Sequence, residues 1–134
     1  MKRRVQITTG AFEEPYETDC IYDDTSSRLI IKWVEQHEGD TNKSFYDIYF
    51  DKELGIATIT RKGDITSKLV FDTGKRTQGL VKTPYGNIVV DIITDYITVP
   101  SVLSPKFEIC YDMAQGEGSL IKNTFSLNLL LQNL

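Results

Sequence analysis

A chain of 134 residues has the size of one domain, and 40% hydrophobic with 25% charged residues is the balance of an ordinary soluble globular protein. Disordered, collagen-like and helical membrane classes are excluded by that balance. With 15 Lys and Arg against 19 Asp and Glu the net charge is -4, which opposes non-specific attraction to a phosphate backbone or an anionic membrane. Through Glu53 there are 7 basic and 12 acidic residues, and from Leu54 onward 8 and 7, so neither part carries a basic footprint.

Met1-Lys2-Arg3-Arg4 runs into an alternating Val5-Gln6-Ile7-Thr8-Thr9, not into the apolar stretch of a secretory signal, and no run nears the roughly 18 apolar residues of a membrane helix. The expected location is the cytoplasm, where Cys20 and Cys110 are expected as free thiols. Cys110, in phase with Glu108 and Asp112, falls on the more polar face of its segment.

The dominant period is two, the signature of strands buried on one face. Val5-Ile7-Thr9-Ala11 predicts a first strand, Glu13-Glu14-Pro15 breaks the chain, and Thr18 to Tyr22 predicts a second. Arg28 to Glu35, rich in β-branched and aromatic residues, predicts a largely covered strand ending at the solvated loop from His37 to Lys43. Ser44 to Asp51 follows, with Tyr46, Ile48 and Phe50 in phase, and then Ile56 to Arg61. Lys62-Gly63-Asp64 is a tight connection to Ile65–Phe71, Asp72-Thr73-Gly74-Lys75 leads to Thr77–Lys82, and Thr83-Pro84-Tyr85-Gly86 leads to a long strand from Asn87 to Val99. Phe107, Ile109, Tyr111 and Met113 alternate with polar neighbours, as do Phe125, Leu127, Leu129 and Leu131, and the polar link from Ala114 to Ser119 makes these two segments a hairpin.

Short links join most of these strands, so the expected fold is all-β, a single domain over residues 1–134 with a mainly antiparallel meander. An open sheet of about 8–10 strands leaves edges unpaired, and closure into a barrel removes them. A two-sheet sandwich is the alternative, although it usually requires longer crossover links.

Arg61-Lys62-Gly63, Leu69-Val70-Phe71, Thr83-Pro84-Tyr85-Gly86 and the final Asn123-x-Phe125-x-Leu127-x-Leu129 follow one another in an order that resembles the YwiB-like family of small uncharacterised bacterial proteins. The resemblance covers most of the chain and is most specific in the middle. It implies a calycin-like, lipocalin-like closed barrel and no activity, since none is assigned to the family. Relatives often carry an aromatic residue where this chain has Val81. The G-x-W of lipocalins is absent at Ile31-Lys32-Trp33, and Phe125 to Leu134 contains no arginine for the carboxylate clamp of fatty-acid-binding proteins.

Catalytic chemistry finds little support. His37, the single histidine, lies among acids and glycine in a loop. Asp40, Asn42 and Ser44 alternate like the start of a calcium loop, but Phe45 stands at the turn glycine and Asp51 at the bidentate glutamate. Gly74-Lys75-Arg76-Thr77 lacks the upstream glycine and the following helix of a phosphate loop, and Gly116-x-Gly118 lacks the third glycine of a dinucleotide fingerprint. Glu13-Glu14 and Asp23-Asp24 are turn acids, and no segment interleaves aromatic with basic residues for base stacking. The expectation is a protein that is no enzyme and has no metal, cofactor, nucleic-acid or membrane partner.

Arg61 continues the Ala57–Ile59 phase, so an inward face brings its guanidinium to a barrel mouth, where it suits an anionic headgroup. Trp33, Tyr46 and Tyr111 are candidates to line the same cavity. The alternatives are an exposed strand-end arginine and ordinary core aromatics. Two functions follow: a module binding a small, mostly apolar or amphipathic ligand inside the barrel, or an interaction protein whose barrel is filled by its own side chains.

Overall fold

Ten strands joined in chain order close on themselves in the computed structural model, which describes residues 1–9, 15–36, 39, 41–116 and 118–130. They are β1 (Lys2–Thr9), β2 (Tyr16–Asp24), β3 (Arg28–Glu35), β4 (Ser44–Asp51), β5 (Ile56–Lys62), β6 (Thr66–Asp72), β7 (Arg76–Thr83), β8 (Gly86–Thr98), β9 (Lys106–Gln115) and β10 (Ile121–Leu129). Each pairs antiparallel with its sequence neighbours, and β10 returns to β1 from Val5–Leu129 to Thr9–Phe125. That last ladder satisfies the backbone groups of two strands that would otherwise be open edges. The expected all-β meander barrel is the fold, and no helix among the described residues is long and apolar enough to cross a membrane.

Alternation sets the two faces. On β3, Leu29, Ile31 and Trp33 are buried while Lys32 and Val34 are exposed, and on β10 Phe125, Leu127 and Leu129 are buried. The long β8 needs a correction to its phase. Val90, Ile92 and Thr94 are buried, and a register shift between Thr94 and Tyr96 then brings Ile97 and Val99 against the core. One extra residue in an antiparallel strand exchanges its faces, so without this bulge Ile97 would face water.

Two glycines answer specific demands. The β7–β8 turn holds Thr83 opposite Gly86, the Thr83 hydroxyl donates to the Gly86 carbonyl at 2.9 Å, and the Tyr85 amide donates to the Thr83 hydroxyl at 3.1 Å. Gly86 has φ 136, where side-chain-bearing residues are strained. On β7, inward-facing Gly79 admits the side chain of Leu69 from β6, where regular β6–β7 pairing is confined to Thr66–Lys68 with Leu80–Lys82. Beyond that stretch the Thr77 hydroxyl donates to the Val70 carbonyl.

The connections β3–β4, β5–β6, β7–β8 and β9–β10 lie at one end of the barrel, and β2–β3, β4–β5, β6–β7 and β8–β9 at the other. Near the second end Phe50 of β4 meets Phe107 of β9 edge to face, and the barrel is filled there by its own rings. Both cysteines are free. Cys20 faces the core, whereas Cys110 lies on the outer face of β9, opposite Tyr96, and is buried despite its polar phase. Several sequence boundaries move: β2 starts at Tyr16, β9 runs on to Gln115, and β10 begins at Ile121. Ala11, Glu13, Glu14, His37, Asp40, Glu117 and Leu131 lie outside the described residues.

Candidate functional site at the Arg61 end of the barrel

Three neighbouring strands place one side chain each in a single inward row. Trp33 of β3 is the register partner of Tyr46 of β4, which is the partner of Arg61 of β5. The Trp33 and Tyr46 rings stack at 4.9 Å with 1° between their planes, and the Arg61 guanidinium carbon lies 5.5 Å from the centre of the Tyr46 ring. Trp33 also stacks on Phe125 of β10 at 6.3 Å. An indole, a phenol and a guanidinium are all flat, so the row forms one continuous wall with a charge at its end.

The charge is incompletely answered. One Arg61 terminal nitrogen donates to the Ser44 hydroxyl at 3.3 Å, and its Nε is buried without a hydrogen-bond partner. Among the described residues Arg61 forms no ion pair. Glu35, the register partner of Ser44, accepts a hydrogen bond from Tyr46. Burial first, then the Glu35 carboxylate that accepts the phenol's hydrogen bond, push the Tyr46 hydroxyl up to about 12. Tyr46 therefore stays neutral at physiological pH and acts as a stacking platform.

Two inward hydroxyls share the orphaned state of the guanidinium. Thr9, the register partner of Phe125, and Thr94 of β8 both bury a hydroxyl oxygen that has no hydrogen-bond partner. An unsatisfied buried hydroxyl costs about 1–3 kcal/mol, so such groups mark places where a further partner is accommodated.

Of the four residues chosen by phase, the fold brings Trp33, Tyr46 and Arg61 together. Tyr111 is placed elsewhere: its ring packs edge-on against Phe71 at 4.9 Å, and burial raises its hydroxyl pKa. Its register partner on β8 is Thr94. Sequence reasoning missed Glu35, Ser44 and Thr94, although alternation carried the signal. Glu35 continues the Leu29–Ile31–Trp33 phase, Ser44 that of Tyr46, and Thr94 that of Val90 and Ile92. His37 lies outside the described residues, and among those described no group of three metal-ligating side chains occurs. The arrangement is equipped to bind: a flat apolar wall ends in a guanidinium whose free N–H groups match a carboxylate or phosphate.

A family model for a domain of unknown function (DUF1934) matches residues 3–127. Among solved structures the chain is similar to the ywiB protein from Bacillus subtilis, whose crystal structure aligns with a TM-score of 0.64 over 97% of this chain and 91% of that one. At 16% identity that likeness speaks for the fold alone. No curated protein matches the chain.

Proposed function

The chain belongs to the DUF1934 family, and on that footing we propose that it is a non-enzymatic, cytoplasmic binding module for a small amphipathic ligand that enters the barrel at the Arg61 end. The ligand's apolar part lies along Trp33 and Tyr46, and its anionic group meets Arg61. One observation carries this reading: a partly buried guanidinium has no carboxylate partner among the described residues and an orphaned Nε. Such a charge is costly to hold unpaired, and an incoming anion supplies the missing partner. The orphaned hydroxyls of Thr9 and Thr94 support it, as further polar groups turned toward the interior.

The Phe50–Phe107 contact favours a second reading, a barrel filled by its own side chains that serves as a rigid support for other contacts. The two readings differ over the Arg61 end. Trp33 is the single tryptophan, so its emission reports on the row without interference. Decanoate and decanol are the probes. Binding at Arg61 gives a saturable change in Trp33 emission with decanoate, at least about tenfold weaker with decanol, and Arg61→Gln removes the difference. Equal responses to the two probes, or none to either, defeat this reading. Native mass spectrometry of freshly purified protein tests occupancy without a choice of ligand.

A further inference from the structure

We infer that the outer wall of β5, β6 and β7 is a second binding site, for a small organic phosphate, independent of the interior. A groove of about 280 Å³ runs along this wall, with Lys62, Lys68 and Lys82 around Thr60, Thr66 and Leu80. Its size suits a small ligand. Arg61 also borders it, but its guanidinium is turned inward to Tyr46 and Ser44.

The distribution of charge points to an anion. Eight other cations, Lys2, Arg4, Arg28, Lys52, Lys75, Arg76, Lys106 and Lys122, each lie within 3.7 Å of a carboxylate, and Arg3, Lys32 and Lys43, which form no ion pair among the described residues, are spread over β1, β3 and the β3–β4 connection. Lys62, Lys68 and Lys82 have no ion pair among the described residues. The acid nearest in sequence, Asp64, accepts a hydrogen bond from Asn42 at 3.0 Å. Asp47 stands two strand spacings from Lys68 in the same row and forms no ion pair with it. An acidic protein thus gathers uncompensated positive charge on one wall, where it focuses the local field on anions.

Register fixes the spacing. Lys82 is opposite Thr66 and Lys68 is opposite both Thr60 and Leu80, while Lys62 lies one residue beyond Arg61, the partner of Ser67. Lys62 and Lys82 therefore flank Thr66 in one row, two strand spacings or about 10 Å apart, and Lys68 stands about 7 Å along the sheet between them. Three stems of lysine length are long enough to reach one ligand over such a triangle. Like charges this close repel, and a phosphate dianion replaces the repulsion with attraction. The hydroxyls of Thr60 and Thr66 lie beside it as donors, and Leu80, 37% exposed, gives an apolar surface for the organic part.

The test is a titration of isotope-labelled protein with phenyl phosphate and with inorganic phosphate, followed by amide chemical shifts. Saturable shifts confined to 60–62, 66–68 and 80–82, stronger with phenyl phosphate, are expected. Lys68→Gln and Lys82→Gln weaken binding by about fivefold each, while Lys75→Gln, on an ion-paired lysine in another turn, does not. All three positions are exposed, and unchanged thermal unfolding confirms that the variants fold. Shifts that are linear and spread over the surface, or equal losses in all three variants, overturn the site. Sedimentation with phosphatidylglycerol vesicles without a saturable response to phenyl phosphate also overturns it, and gives the wall to a membrane instead.

Discussion

Phe50 and Phe107 stand five strands apart in a ring of ten, yet their centroids approach to 6.3 Å with 72° between the planes. Opposite walls of the barrel therefore touch through two side chains. Phe107 is fully buried and Phe50 nearly so, which makes the pair a brace across the core. Phe107→Ala is expected to cost about 3–5 kcal/mol in urea unfolding. A double-mutant cycle on leucine variants, which keep the fold more easily, should give a coupling of about 0.5–1.5 kcal/mol. Strict additivity would show that the rings do not meet in solution.

Glu108 on the outer face predicts an acid-sensitive element of stability. The Tyr96 hydroxyl donates to one carboxylate oxygen at 2.5 Å, the Ser126 hydroxyl to the other at 2.7 Å, and Lys106 lies 3.1 Å from the second oxygen. The Tyr96 hydrogen bond is the largest influence, and together these groups hold Glu108 down to about 2. A carboxyl whose folded pKa is depressed stabilises the fold above its unfolded pKa of about 4.3 and loses that contribution as pH falls toward the folded value. Stability should therefore decline between about pH 4.3 and 2, with a shallower decline in Glu108→Gln. The same hydrogen bond pushes Tyr96 up to about 12, so its contribution persists below the ordinary tyrosine pKa and fades above it. Identical acid limbs for wild type and Glu108→Gln, measured by urea midpoints, would contradict the assignment.

Where turn and loop signals bound a strand on both sides, the sequence was sufficient for its limits, although β3, expected to be largely covered, is buried on one face with Lys32 and Val34 exposed. Arg28–Glu35 and Ser44–Asp51 match β3 and β4 to the residue, and alternation along each strand turns Trp33, Tyr46 and Arg61 inward. Tyr111 shows where such reasoning stops. Phase states that it faces the interior, but its neighbour Phe71 lies on β6, and proximity across a barrel depends on tilt and stagger that no single strand encodes. The β8 bulge was hidden for a different reason. Ile92-Ile93 and Tyr96-Ile97 put bulky residues in both phases, so neither phase identified the inserted residue. Cys110 was correctly read onto the outer phase, yet it is buried because the neighbouring strands cover it.

Gly79 is a packing residue, and its replacement tests the β6–β7 contact. A Cβ there would lie 2.5 Å from Leu69 Cδ2, 3.1 Å from the Lys68 carbonyl oxygen and 3.1 Å from Val90 Cγ2. The leucine tip is able to rotate away, but the carbonyl belongs to a paired strand. Gly79→Ala should cost about 1–3 kcal/mol. Leu69→Ala in the same chain should recover part of that loss, so the double variant is less destabilised than the sum of the singles. A neutral Gly79→Ala would mean that β6 has room to recede.

Arg61 decides between a structural and a ligand-holding role for the stacked row. A structural arginine contributes through hydrogen bonds, and here Ser44 is its described side-chain partner while Nε has none. Its stacking on Tyr46 is worth about 0.5–1 kcal/mol in a partly exposed setting. Removing an incompletely paired charge offsets much of that loss, because methionine retains an apolar stem without the desolvation penalty of the guanidinium. Arg61→Met should therefore change the unfolding free energy by less than about 1 kcal/mol in either direction. Tyr46→Ala, which removes the ring between Trp33 and Arg61, should cost about 3–5 kcal/mol and alter Trp33 emission. A loss in Arg61→Met as large as that in Tyr46→Ala would make the guanidinium part of the scaffold and leave the anion without its anchor.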